Sequence, residues 1–332
     1  MRSSWLPEAP LYINWAITNR CNFRCRHCYS RQDPGEEMGT AVLLSCIHKA
    51  AQAGVMCVNF GGGEPLLRTD LLSIVRFSCQ EGLRVSMNTN GYLLGRDTAR
   101  ALKDAGMTSV GVSIDSHDPS VHDRFRCMPG SHARAVRAVQ YLNQAGIETS
   151  ISTVVCAINY RDAKALVEFA LSVGARKLNL HNFKCTGLGF VNRQALDLAP
   201  SQWKEFYLEA LELREKTQGL EIAFDEPILA SLGHDSSCIK GSICGKLSLN
   251  IKANGDITPC GFMPLVVGHI LRDDLKSLWR RSEVLQKLRN KRPTGKCIRC
   301  SHYEDCLGGC TARAYALRGD INSPDPHCWQ HE

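Results

Sequence analysis

From residue 11 to about 185, short runs that alternate apolar and polar residues take turns with longer stretches whose apolar positions recur every three or four residues. YINWAIT (12–18), CVNF (57–60), LRVSMNTN (83–90), SVGVSID (109–115), ETSISTVV (148–155) and KLNLHNF (177–183) read as strands. The stretches at about 40–53, 70–81, 96–105, 131–145 and 161–172 read as helices, with turns such as AGV, EGL, AGM, AGI and VGA between elements. This alternation predicts an α/β fold of six β/α units, a parallel sheet with helices outside it. Six units fall short of a closed (β/α)₈ barrel, so a partial (β/α)₆ barrel is expected. Working residues are expected at the C-terminal ends of its strands.

The pattern changes after residue 185. Residues 186–235 read as a bridging loop with one amphipathic helix, SQWKEFYLEALELREKT (201–217). From 236 to 332 helical periodicity fades and cysteines crowd in, while LSLNIKANGDITPC carries an Asn-Gly hairpin signal. The expected organisation is thus a barrel at 1–185, a bridge at 186–235 and a cysteine-rich domain at 236–332. With 44% hydrophobic residues in 332, a sizeable core is available. No apolar run approaches the roughly 20 residues of a membrane span, and MRSSWLPEAP lacks a signal-peptide core, so a cytoplasmic protein without a membrane partner is expected. The net charge of +7 is spread out except in WRRSEVLQKLRNKRP (279–293). That run reads as a solvated helix face, because neither aromatic interleaving nor a nucleic-acid recognition module accompanies it.

Seventeen cysteines change the picture most. In a long chain read as cytoplasmic, tight cysteine clusters point to metal binding or chemistry rather than to disulfides. Cys21, Cys25 and Cys28 follow the first strand as C-x₃-C-x₂-C. A zinc site would want a fourth Cys or His. His27 is near, but its neighbours already occupy the local geometry. An iron–sulfur cluster on three thiolates instead leaves one iron open to a small molecule. Just after the second strand, GGGEP (61–65) offers glycines that let another backbone come close. At the other end of the chain stand Cys238, Cys244 and Cys260, then Cys297, Cys300, Cys306 and Cys310, then Cys328. Eight cysteines suffice for two fully ligated clusters or for a pair of structural zinc knuckles.

The Cys21–Cys28 motif, GGEP at 62–65 and SID at 113–115 together resemble the radical S-adenosylmethionine (SAM) superfamily. The resemblance implies a 4Fe-4S cluster whose open iron chelates SAM. It also implies cleavage of SAM to a 5′-deoxyadenosyl radical that abstracts a hydrogen atom from substrate. It places SAM contacts at Gly62, Gly63, Glu64, Ser113 and Arg137, puts Tyr29 against the adenine, and leaves Asn88, Thr89 and Asn90 to reach ribose or methionine. The C-terminal spacing resembles the SPASM domain, an auxiliary-cluster domain of one branch of that superfamily. By similarity to sulfatase-maturating enzymes, Cys238, Cys244, Cys260 and Cys310 would hold a first auxiliary cluster. Cys297, Cys300, Cys306 and Cys328 would hold a second, making three 4Fe-4S clusters. Those enzymes have an Asp base after the cysteine matching Cys260; here Gly261 stands there.

Of the remaining cysteines, Cys46, Cys57, Cys79 and Cys156 lie in apolar patterns and read as buried thiols, and Cys127 sits in a loop. Cys185, just past the sixth strand, is the candidate hydrogen-atom donor to a substrate radical. His181, Asn182, Asp115, Asp225 and Glu226 are candidates for binding polar groups or acting as a base. The reading expects a small polar substrate, a sugar or aminocyclitol of a natural-product pathway, epimerised with Cys185 as donor. Its alternatives are dehydrogenation through an auxiliary cluster, crosslinking of a ribosomal peptide, and tetrapyrrole modification. A flavodoxin or ferredoxin is the expected electron donor, and no nucleic acid is expected.

Overall fold

The computed structural model describes residues 6–30, 35–233 and 240–330. Its elements follow the anticipated order: β1 (Tyr12–Thr18), α1 (Thr40–Gln52), β2 (Cys57–Gly62), α2 (Leu71–Gln80), β3 (Arg84–Thr89), α3 (Arg96–Asp104), β4 (Ser109–Ser113), α4 (Pro119–Arg126), α5 (Ser131–Gln144), β5 (Glu148–Val155), α6 (Ala163–Ser172) and β6 (Lys177–Asn182). Neighbours from β1 to β6 pair in parallel. The (β/α)₆ partial barrel is therefore present.

The two faces of the sheet separate by residue parity. On the outer face Ile13, Trp15, Ile17, Val58, Phe60, Val85, Met87, Val110, Val112, Ile151, Leu178 and Leu180 are buried in one core cluster with residues of the surrounding helices. Each such side chain stabilises the fold by about 1.5–3 kcal/mol when fully buried. The opposite parity faces the lumen and is small and polar: Asn14, Asn59, Ser86, Asn88, Ser113, Ser150, Ser152, Asn179 and His181. Inside it the Asn59 amide donates to Asn14 Oδ1 at 3.2 Å and Ser86 donates to Asn59 Oδ1 at 3.0 Å.

Three features differ from expectation. Helix α4 was not foreseen, although Asp118 accepts from Ser120 N and Pro119 fills the first helical position, both ordinary start signals. After α7 (Leu188–Val191), α8 (Arg193–Leu196) and α9 (Pro200–Lys216), a seventh strand, β7 (Glu221–Phe224), extends the sheet in parallel beyond β6. Then β8 (Ser248–Ile251), β9 (Asp256–Thr258) and β10 (Gly268–His269) form the anticipated hairpin and one more strand. Strand β8 also pairs in parallel with β1, giving one ten-stranded sheet ordered β10-β9-β8-β1-β2-β3-β4-β5-β6-β7. The C-terminal part adds α10 (Leu275–Arg281), α11 (Glu283–Arg289), α12 (Tyr303–Cys306) and α13 (Thr311–Arg318). No helix of the described residues is long and apolar enough to cross a membrane.

Candidate active site

The loop that leaves β1 carries Cys21, Cys25 and Cys28, and its backbone is fixed by the end of β2. Gly63 N donates to Thr18 O and Glu64 N to Arg20 O, both at 2.8 Å. A Cβ on Gly62 would stand 2.3 Å from Thr18 O, and one on Gly63 only 2.0 Å from Arg20 O. Gly62 also has φ +109°, a conformation that L side chains rarely adopt. The glycines are thus required by backbone contact. The Glu64 carboxylate is buried and bonded to Thr89 Oγ1 at 2.7 Å and to Asn90 N at 2.8 Å. Burial raises its pKa, and those hydrogen bonds oppose the rise. The Asn90 side chain in turn donates to Asn22 Oδ1 at 2.8 Å, inside the cysteine loop. Glu64, Thr89 and Asn90 therefore brace the loop with their side chains. Asn88 and Ser113 remain on the lumen face, the first exposed and the second half-buried.

Besides the three thiols, the loop carries one imidazole. His27 stacks on Phe125 at 4.3 Å, and its Nδ1 is buried without a hydrogen-bond partner. Burial pushes its pKa down to about 3, so the ring is neutral. Cys25 is buried, which pushes its thiol up to about 12, with the Arg126 guanidinium pulling the other way. A donor set of three thiols, with the neighbouring imidazole turned onto an aromatic ring, suits a cluster that keeps one iron free. Tyr29 packs on Phe262 at 4.5 Å, beside Gly261. Arg137 is exposed on the outer face of α5. Arg134, one turn earlier, lies over the Tyr92 ring at 5.3 Å, and that ring meets Phe23 of the cysteine loop edge-on at 5.6 Å.

The C-terminal cysteines gather in two places. Cys297, Cys300, Cys306 and Cys328 line one pocket together with Ile228, Tyr303 and Asp325. This grouping is the one the resemblance assigned to a second auxiliary cluster. The Cys244 and Cys260 thiols are neighbours, and their interaction lowers the pKa of Cys244 and raises that of Cys260. Lys184 neighbours Cys310 and Glu226, whose charges hold it protonated against burial. Cys238 lies outside the described residues. Behind these thiols runs a buried ion network. Arg313, fully buried, donates to both Glu226 oxygens at 3.1 Å and to Asp325, whose Oδ2 also accepts from Cys310 N at 2.6 Å.

Cys185 is placed differently from expectation. It is 1% exposed and its thiol donates to Asp197 Oδ2 at 3.0 Å. Asp197 Oδ1 lies 2.8 Å from His327 Nε2, and His327 stacks on Trp203 at 5.2 Å. The odd parity of β6 points His181 into the lumen, but the chain turns after Phe183 and carries Cys185 under the C-terminal segment. A thiol enclosed and committed in this way is at odds with hydrogen-atom donation to a substrate in the barrel. Of the other candidates, Asn182 is buried against Tyr207, Glu226 is committed to Arg313, and Asp115 to Arg126. Cys46 and Cys156 are buried as expected, whereas Cys57 is half-buried on the lumen parity of β2. Cys127 is exposed and ends α4 with φ 54°.

His181 and Asp225 do come together. His181 Nδ1 stands 3.4 Å from Asp225 Oδ2 at the open ends of β6 and β7, with side chains 41% and 58% exposed. Partial desolvation would raise the Asp225 pKa, but His181 and Lys184 hold it below the usual carboxylate range. This pair is an accessible acid–base group on the lumen rim.

Residues 15–170 match the family described as Radical SAM superfamily, and residues 238–301 match SPASM, an iron–sulfur cluster-binding domain. The chain belongs to the radical SAM superfamily. Its radical SAM relatives include the AdoMet-dependent heme synthase of Methanosarcina barkeri, 29% identical over 349 residues that span 97% of each chain. The PqqA peptide cyclase of Methylocella silvestris is 29% identical over 96% of this chain and 87% of its own. Among solved structures, Streptococcus suis SuiB bound to its precursor peptide SuiA aligns with a TM-score of 0.81 and 17% identity, covering 98% of this chain and 77% of that one. The match establishes the same fold, barrel and C-terminal extension together. This chain is thus a radical SAM enzyme with a SPASM domain, and it binds SAM and iron–sulfur clusters.

Proposed function

We propose that this radical SAM enzyme modifies a peptide, forming a crosslink after removing a hydrogen atom from a side-chain carbon. The observation that carries the reading is the lumen lining of asparagine, serine and histidine side chains. Amide and hydroxyl groups match the donors and acceptors of a peptide, and a wall of them offers little to the broad apolar face of a macrocycle. A relative named for acting on a peptide, PqqA peptide cyclase, supports the same class. A tetrapyrrole substrate is the second reading, favoured by the end-to-end match to heme synthases. Epimerisation of a small molecule loses its donor, because Cys185 is enclosed and bonded to Asp197.

Cys21, Cys25 and Cys28 are the proposed holders of the SAM-binding cluster, with the eight C-terminal cysteines holding two more. When bound, the cluster and SAM supply a carbon radical strong enough to take hydrogen from an unactivated C–H bond. The chain's own residues bind and orient the substrate and handle its proton. Asn14, Asn88, Ser152 and Asn179 present hydrogen-bonding groups along the lumen. His181 keeps Nδ1 toward Asp225, which leaves Nε2 to accept a proton at the rim.

The test is an anaerobic assay of the reconstituted, reduced full chain with SAM. One arm offers peptides encoded by reading frames flanking the gene, the other an iron porphyrin carrying propionates. Peptide-dependent 5′-deoxyadenosine release with loss of a hydrogen pair from the peptide is the expected result; release only with the porphyrin overturns it. Iron and sulfide near about 12 each per chain are expected for three four-iron clusters, and a value near about 4 would remove both auxiliary clusters.

A further inference from the structure

Helix α4 ends beside the cysteine loop. Arg26 N donates to Phe125 O at 3.2 Å, and the His27 ring lies on Phe125. The last residue of the helix, Arg126, is 8% exposed. Its Nε and Nη2 form a fork on Asp115, at 2.6 and 3.1 Å, just beyond the end of β4. Its remaining nitrogen, Nη1, points the other way and donates to Cys25 Sγ at 4.0 Å. Asp115 is fixed in turn by Val154 N at 3.0 Å, and its own N–H donates to His122 Nδ1 at 3.1 Å. The charged side chains beside Cys25 are one cation, Arg126, and one anion, Asp115, arranged with the cation next to the sulfur.

We infer that Arg126 is a positioning residue that sets the reduction potential of the cluster on Cys21, Cys25 and Cys28, with Asp115 as its counterweight. The inference rests on those three cysteines being the ligands. Uptake of one electron adds negative charge to a cluster already held by thiolates. A guanidinium bonded to one of the sulfurs favours that added charge and moves the potential upward, while Asp115, farther off, moves it downward. The step is a single-electron reduction of the cluster from its 2+ to its 1+ state by a low-potential reductant. No bond is made or broken and no proton moves. The fork on Asp115 also aims Nη1, so a lysine supplies the charge while losing the bidentate hold.

The experiment is a redox titration with titanium(III) citrate, followed by electron paramagnetic resonance. It uses the full reconstituted chain and reads the signal component that changes on adding SAM, which separates this cluster from the auxiliary ones. Arg126→Gln is expected to move the midpoint of that component to more negative potential. Asp115→Asn is expected to move it to more positive potential. Arg126→Lys should stay close to the parent, and the Arg126→Gln/Asp115→Asn pair should fall between the single variants. An order set by charge distinguishes tuning from a merely structural bond. Midpoints that do not change, or that all move one way, overturn the inference. If Arg126→Gln does not fold, a midpoint of Asp115→Asn that fails to rise overturns it alone. A Cys25→Ala chain that keeps the SAM-sensitive signal overturns the ligand reading instead, a different outcome from unchanged midpoints with the signal lost in Cys25→Ala.

Discussion

Single atoms decide what the cysteine loop tolerates. Gly61, Gly62 and Gly63 look alike in sequence, yet a Cβ on Gly61 meets nothing within 4 Å, whereas one on Gly63 stands 2.0 Å from Arg20 O and 2.6 Å from Arg20 C. Both obstacles are main-chain atoms that lead directly into Cys21, so they cannot move aside as a side-chain tip would. Gly63→Ala is therefore expected to lower stability by about 2 kcal/mol or more and to reduce bound iron. Gly61→Ala should change the melting temperature little. Thermal melts and iron counts on the two variants side by side check this, and equal effects would refute the contact argument. The same scale shows why the donor role for Cys185 was not settled by sequence. Position just past a strand end gives proximity to the barrel mouth, but direction depends on how the next two residues turn, and Asp197 and His327, which enclose the thiol, are distant in the chain.

At the scale of elements, one arginine joins three of them. Arg68 Nη1 donates to Ile17 O at 2.7 Å and to Met38 O at 3.1 Å, while Nε and Nη2 fork onto Asp70, the residue before α2. Asp70 also accepts from Thr40 at the start of α1 at 2.6 Å. The end of β1 is thus tied to both flanking helices where the cysteine loop departs. The Arg68 hydrogen bonds hold the Asp70 pKa at about 2. An unfolded Asp titrates near about 3.9, so the pair's contribution is complete above that pH and fades as pH falls toward about 2. Asp70→Asn should lower the melting temperature at neutral pH, and the gap from the parent should close between about pH 4 and pH 2. A gap that persists at the acidic end would show that packing rather than charge is lost. The strands β1 to β6 were legible because their outer faces carry mostly apolar residues at every second position, with threonines alone breaking the pattern in β3 and β5. Strand β7 was not, because EIAF is short and half-exposed, with Ile222 its one buried residue. Helix α4 had clear start signals but only eight residues in which to show periodicity.

The whole molecule is closed by contacts that no local pattern announces. Arg313, Glu226 and Asp325 come from three separate segments and meet with their side chains fully enclosed. Removing the cation leaves two buried carboxylates facing each other, and Arg313→Met is expected to cost about 3–5 kcal/mol. Denaturant unfolding of the loaded protein measures this, and a loss below about 1 kcal/mol would show the cluster of charges to be already hydrated. The candidate ligand cysteines stood out in sequence because several of them come in short-spaced clusters. Their supporting ions did not, because ion pairing sets no spacing in sequence.

The pairing of β8 with β1 has a consequence for how the chain is made. Strand β1 emerges early with Ile13, Trp15 and Ile17 on it, and its other neighbour, β2, follows within a few tens of residues. The β8 partner of Tyr12 is Ser248, about 240 residues later, which at ordinary synthesis rates is roughly 10–50 s of waiting. Throughout that interval one side of β1 displays bare amide and carbonyl groups beside a strongly apolar face, a template for pairing with the wrong strand. The pairing of β1 is completed only when β8, far along the chain, has been made.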